Sequence, residues 1–286
     1  MNNDGYLKDY VKQLKEAYKD SGLEFSIQEK IKNNVREESI CVKKEGSQVG
    51  MLISGEQLKK CPELIDDYLK DVGHMALING FTDKIYNYKD VKNDIKIHLI
   101  GDNENNRNMV KDHLYENNLD MIERYVISTK MPDGSYATMG IPEQALGFWH
   151  MTKEDIRKQA LENMDREARI MNLGCFVCIS SEDAYKGAGQ MLNDNVMQKI
   201  AKGYESDKLI VIPSSVHEIL CLPYVDGNIQ ELCDYVGEVN QDIVTPMDKL
   251  TDNLYIYDAK EKKLEAYDTS KIQDWRNKDN EGYDER

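Results

Sequence analysis

Between Pro213 and Pro223, Ser214, Ser215, His217 and Glu218 place two hydroxyls, an imidazole and a carboxylate within five residues. These side-chain types move protons and attack carbonyl carbons. A hydrolase or transferase would use His217 as general base, Ser215 as nucleophile and Glu218 as supporting carboxylate. Geometry weighs against so compressed a site. Triad members normally converge from separate segments, and no Gly-x-Ser-x-Gly elbow surrounds either serine. The apolar runs on both sides, Leu209-Ile-Val-Ile212 and Ile219-Leu-Cys-Leu222, read as strands. Neighbouring side chains on a strand point to opposite faces, so His217 and Glu218 would diverge. The competing reading is a tight Pro-Ser-Ser bend whose hydroxyls bond nearby backbone groups, with His217 holding it by a further hydrogen bond.

The same stretch contains His217-Glu-Ile-Leu-Cys221, close to the His-Glu-x-x-His of zinc proteases. On a helix the outer pair would be about 6 Å apart. On a strand they would be roughly 13 Å apart, too far for one ion. The flanking prolines favour strands, so no metal is expected. Cys175-Phe-Val-Cys178 has redox spacing but sits in a β-prone run rather than at a helix N-terminus, and reads as a buried structural pair. Gly187-Ala-Gly189 precedes a helix but lacks a Walker lysine or a third glycine. In 101–108, Asp102, Glu104 and Asn106 alternate as in a calcium loop. Arg107 replaces the turn glycine and His113 the bidentate glutamate, so a plain loop is expected. No cofactor follows from any of these patterns.

The elements around these residues are legible from periodicity. Leu7, Val11, Leu14 and Tyr18 mark an amphipathic helix, and so do Leu64, Ile65, Tyr68, Leu69, Val72, Met75 and Ala76, with His74 at the stripe's edge. Residues 39–44 and 49–54 read as a hairpin. So do 124–129 and 135–141 around Met131-Pro-Asp-Gly134, where proline fixes φ and glycine accepts positive φ. Residues 90–100 fit helix or strand equally. A short helix is expected over 142–149, with Trp149 and His150 in packing roles. Thr152 caps the next helix, whose inner stripe is Ile156, Ala160 and Met164. A strand at 175–180, a helix at 191–201, strands at 209–212 and 216–222, a helix from Ile229 to Ile243 and strands at 254–257 and 264–267 complete the expectation.

Helices and hairpins alternate without a βαβα rhythm. This predicts an α+β fold with mixed or mostly antiparallel sheets and packed amphipathic helices, not a doubly wound one. Residues 1–268 are expected to form one domain, or two lobes with a seam near 117–120. Residues 269–286 read as a charged, disordered tail.

Composition narrows the function classes. The 286 residues carry 52 acidic against 37 basic side chains, a net charge of −15. Nucleic acid is bound largely through basic grooves, and none rises above this acidic background. The same balance disfavours an anionic membrane surface, and no run approaches the roughly 18 apolar residues of a membrane span. Six cysteines in a chain this long are no disulfide framework, and the first residues lack a signal peptide's pattern, so a cytoplasmic location is expected. The 17 tyrosines against 4 phenylalanines suggest a partly wet recognition surface.

Several segments carry a resemblance. They are Trp149-His-Met-Thr-Lys-Glu-Asp155 with its helix to Asn163, Gly187-Ala188, Ile212-Pro-Ser-Ser-Val-His-Glu218, Val236-Gly-Glu-Val-Asn240 and Leu250-Thr-Asp-Asn-Leu-Tyr255. From about residue 85 to 257 the chain resembles a bacterial family of unknown function, number five-six-eight-eight. It departs from the family at Met164, where threonine is common, and matches weakly around 118–122. The resemblance implies a soluble bacterial protein, in a family some of whose members travel on mobile elements. It carries over no catalytic residue, cofactor or partner. The expectation is a non-enzymatic protein that binds another protein or a peptide, with oligomeric state left open. The alternative is a hydrolase or transferase using Ser215, His217 and Glu218.

Overall fold

A computed structural model describes residues 4–46, 50–70, 85–130, 134, 136–225 and 229–267. His74, most of the helix expected beyond residue 70 and the charged tail lie outside the described residues. The chain divides into two units. The first comprises residues 1–95, 103–114 and 126–156, and the second 96–102, 115–125 and 157–286.

In the first unit, β1 (Leu23–Lys32), β2 (Val35–Lys44) and β3 (Gly50–Ser54) form an antiparallel meander. The amphipathic α1 (Asp4–Ala17) contributes Leu7, Val11 and Leu14 to a core with Phe25, Ile40, Val42 and Ile53. Leu58 of α2 (Gly55–Lys60) and Ile65 of α3 (Leu64–Lys70) join that core. Ser54 caps α2 through its hydroxyl. The ambiguous segment 90–100 resolves into both elements: α4 (Tyr88–Val91), a single 3₁₀ turn, then β4 (Ile95–Gly101).

The polar stretch expected to be a plain loop folds instead into α5 (Glu104–Val110), with Asn103 as its cap. Its asparagines supply the reason. The Asn106 side chain donates to Asn33 Oδ1 at 3.1 Å and to Asn34 Oδ1 at 2.9 Å, and accepts from the Asn34 N–H. Asn33 and Asn34 turn between β1 and β2 at positive φ, where asparagine is tolerated. The helix is therefore held by a turn some seventy residues away in sequence.

β5 (Tyr115–Asn118) pairs with the first residues of β6 (Met121–Lys130), while the later residues of β6 pair with β7 (Tyr136–Gly140). The expected hairpin between 124–129 and 135–141 forms, its pairing running from Val126↔Gly140 to Lys130↔Tyr136. In α6 (Ala145–Trp149) the buried Trp149 indole donates to the Ile85 carbonyl at 2.8 Å, the expected packing role. Thr152 and Asp155 cap α7 (Lys153–Arg166) reciprocally, and Ile156, Ala160 and Met164 are its buried stripe.

The second unit is built on a six-stranded sheet. Its strands are β8 (Ala168–Asn172), β9 (Val177–Ser181), β10 (Lys208–Pro213), β11 (Glu218–Pro223), β12 (Tyr255–Asp258) and β13 (Lys263–Ala266). Their order is β13-β12-β10-β11-β9-β8, with every neighbouring pair antiparallel. A 3₁₀ turn over Gly187–Leu192 leads into α8 (Asp194–Gly203). Ile229 and Val236 of α9 (Ile229–Asp242) pack with Ile210, Ile212 and Leu254. The fold is α+β with mostly antiparallel sheets, as the sequence predicts. No described helix is long and apolar enough to cross a membrane.

Candidate functional site

β10 and β11 pair from Leu209↔Pro223 to Pro213↔Ile219, so residues 214–217 form the link between two central strands. Pro213 ends β10 because it can extend no ladder, and the serines make the turn. Ser215 Oγ accepts the His217 backbone N–H at 3.0 Å, a local hydroxyl turn.

Two segments distant in sequence fasten this bend, both within the second unit. From one side the Gly187 N–H donates to the His217 carbonyl at 2.9 Å, and the Ser180 hydroxyl donates to the same oxygen at 2.7 Å. The Lys186 N–H donates to His217 Nδ1 at 3.2 Å. From the other side the Val216 N–H donates to the Asp248 carbonyl at 2.8 Å. His217 Nε2 lies 3.1 Å from Asp248 Oδ1, and the Thr245 hydroxyl donates to Asp248 Oδ2 at 2.8 Å.

These contacts fix the imidazole's tautomer. Nδ1 accepts an amide hydrogen, so it carries a lone pair there, and the proton resides on Nε2, which donates to Asp248. Burial raises the Asp248 carboxyl, but hydrogen bonds from Thr245 and His217, with the charge of Lys186, outweigh it and hold it below the usual range. Both ring nitrogens are thus engaged, and neither bond is to a serine.

Ser215, His217 and Glu218 lie on one bend, but the ring couples to Asp248 and not to Ser215 or Glu218. Glu218 faces elsewhere: the Ser214 hydroxyl donates to Oε1 and the Cys178 thiol to Oε2, both at 3.4 Å. Burial and the Glu218 carboxylate push the Cys178 thiol up to about 12, the reverse of what a redox thiolate needs. Cys178 is buried on β9, but Cys175 is exposed, so the expected buried pair is corrected to one buried thiol. Cys221 is buried on β11, away from the bend that holds His217. Among the described residues no three or more His, Cys, Asp or Glu side chains group as a metal site.

The glycines of Gly187-Ala-Gly189 have a packing explanation. A Cβ on Gly187 would stand 2.2 Å from the Ser181 nitrogen and 2.7 Å from the His217 carbonyl oxygen. One on Gly189 would stand 2.7 Å from the Ile97 carbonyl oxygen. Both are bare because backbone passes within contact distance.

Several residues at the bend carried no local signal in the sequence. The Tyr185 ring lies 5.9 Å from that of His217 and 5.9 Å from that of His98, bridging them. Lys186 and Asp248 are each 31 positions from His217, and nothing in their immediate neighbours announces the contact.

No curated protein and no solved structure matches the chain. The model described as "Family of unknown function (DUF5688)" matches residues 4–176 and 172–259. The family resemblance read from the segments around Trp149, Pro213 and Leu250 therefore holds along most of the sequence, and the chain belongs to the DUF5688 family.

Proposed function

We propose that this chain is a non-enzymatic protein of the bacterial cytoplasm that binds another protein or a peptide. The observation that carries the reading is the engagement of both ring nitrogens of His217, by the Lys186 amide and Asp248. A general base needs a free lone pair within reach of the proton it removes, and the Nδ1 lone pair here is spent on the main chain. The Ser215 hydroxyl serves as an acceptor in the turn. The bend is in this reading a structural clasp at the end of β10 and β11. Exposed aromatic surface supports the recognition role. In the first unit Tyr86 is 64% exposed and Phe148 39% exposed, with ring centroids 5.4 Å apart. Aromatic side chains are enriched where protein surfaces meet.

The test is affinity capture with the full chain at physiological salt, followed by size-exclusion chromatography. A stoichiometric protein or peptide partner is expected, and recovery of the chain alone would contradict the reading.

One observation favours the alternative. A carboxylate–imidazole couple, Asp248 with His217, is the half of a hydrolase triad that orients the base. In that reading Ser215 is the nucleophile, His217 the base and Glu218 a supporting carboxylate, and the Lys186 amide must release Nδ1 before reaction. A fluorophosphonate probe distinguishes the two. Labelling of Ser215 that disappears in His217→Ala supports the hydrolase, and the absence of labelling supports the binding protein.

A further inference from the structure

Arg124 lies on β6 within the second unit, opposite Tyr115 of β5. Its Nε is buried with no hydrogen-bond partner, and among the described residues no carboxylate pairs with its guanidinium. Arg124 as a whole is half-buried, and burial lowers its guanidinium from the ordinary value. A buried N–H normally has an acceptor beside it, because a donor left unmade is costly. Three carboxylates of the second unit have other partners. Glu167 pairs with Lys96, Asp248 takes His217 and Thr245, and Glu218 takes Cys178 and Ser214.

Arg124 lies within electrostatic reach of His98 and Tyr185. His98 is buried on β4, and burial, then the charges of Arg124, Lys186 and Lys96, hold its imidazole well below the ordinary histidine range. It is kept as a neutral ring with an N–H to donate. Tyr185 stands between His98 and His217, and the charge of Lys186 is felt by both His98 and Asp248. In a chain with a net charge of −15, this is a local positive focus set against the overall field.

We propose that the second unit carries a binding site for a small oxyanion of the phosphate class, formed by Arg124, His98, Tyr185 and Lys186. The guanidinium fork fits two oxygens of such an anion, and the lysine contributes a point charge. The neutral imidazole and the phenol donate without adding charge. A tetrahedral anion uses donors from several directions, whereas a carboxylate has only two oxygens to satisfy. Gly187 and Gly189 take no part, since backbone already occupies the space beside them. The inference stands apart from the binding-protein and hydrolase readings alike, and its test does not pass through either.

The experiment is a titration of the full-length chain with inorganic phosphate, with ionic strength held constant by sodium chloride, followed through the histidine Cε1–H resonances. A saturable shift of the His98 resonance at millimolar phosphate or below is expected. Affinity should fall at least tenfold in Arg124→Gln and severalfold in Lys186→Ala, the second variant serving if the first does not fold. Acetate is the second arm. Tighter saturation by acetate than by phosphate would overturn the phosphate assignment. A response no larger than that to chloride, or folded variants that titrate like the wild type, would overturn the site.

Discussion

Substituting Gly187 by alanine puts the clasp under direct load. The added Cβ would sit 2.2 Å from the Ser181 nitrogen, 2.7 Å from the Ser180 carbonyl carbon and 2.7 Å from the His217 carbonyl oxygen. All three are backbone atoms, so no rotamer change relieves the clash. Either the 181–187 segment lifts from the bend or the strand ends shift. Overpacking of this kind costs roughly 1–3 kcal/mol, and a site enclosed by backbone belongs at the upper end. Lifting the segment also strains the Gly187 and Lys186 hydrogen bonds to His217, about 1 kcal/mol for each one lost. The expected loss is therefore about 3–5 kcal/mol of unfolding free energy. Urea denaturation followed by circular dichroism measures it. Gly237→Ala is the matched control. It lies inside α9 of the same unit with nothing within 4 Å of an added Cβ, so a gain of about 1 kcal/mol is expected. A Gly187→Ala protein within about 1 kcal/mol of wild type would refute the claim that backbone contact explains this glycine.

Two further perturbations separate other parts of the account. Asp120 accepts hydrogen bonds from Thr251, Tyr255 and Asn253; burial raises its carboxyl, but these donors outweigh burial and leave it lowered. A depressed carboxyl stabilises the fold fully above the ordinary carboxylate pKa of about 4 and loses that contribution as pH falls through its lower folded value. Asp120→Asn should therefore destabilise by about 1–3 kcal/mol at pH 7, with the gap from wild type closing below about pH 4 in urea midpoints. A gap that does not change with pH would contradict the assignment. Iodoacetamide at pH 8 on the native chain should label the exposed Cys175 and spare Cys178, whose thiol burial and Glu218 hold protonated, and the buried Cys221. Peptide mass spectrometry reads the outcome, and rapid labelling of Cys178 would contradict its placement beside Glu218.

The sequence disclosed most where local chemistry decides structure. Met-Pro-Asp-Gly specified the β6–β7 hairpin, Thr152 and Asp155 specified the start of α7, and the apolar runs around Pro213 and Pro223 specified β10, β11 and the bend. Residues 101–108 were opaque because their helix depends on asparagine contacts to Asn33 and Asn34. β1 and β8 were missed for a different reason. Each ends its sheet, and β1 mixes Glu24, Glu29, Lys30 and Lys32 among its apolar residues, blurring the alternation that marks a strand. At the site, the identities of Ser215, His217 and Glu218 were legible and their partners were not. Strand alternation foretold that His217 and Glu218 diverge, and they do, toward Asp248 and Cys178. That the diverging ring would meet a carboxylate 31 residues on depends on how the 245–248 turn folds back, which no local pattern encodes.

The central claim is that His217 is a clasp with both nitrogens committed. Long-range ¹H–¹⁵N correlation of ¹⁵N-histidine-labelled protein reads the tautomer directly. The account predicts the Nε2–H tautomer for His217, with Nδ1 bearing the lone pair that accepts the Lys186 amide. The Nδ1–H tautomer, leaving Nε2 free to serve as a base, would contradict it.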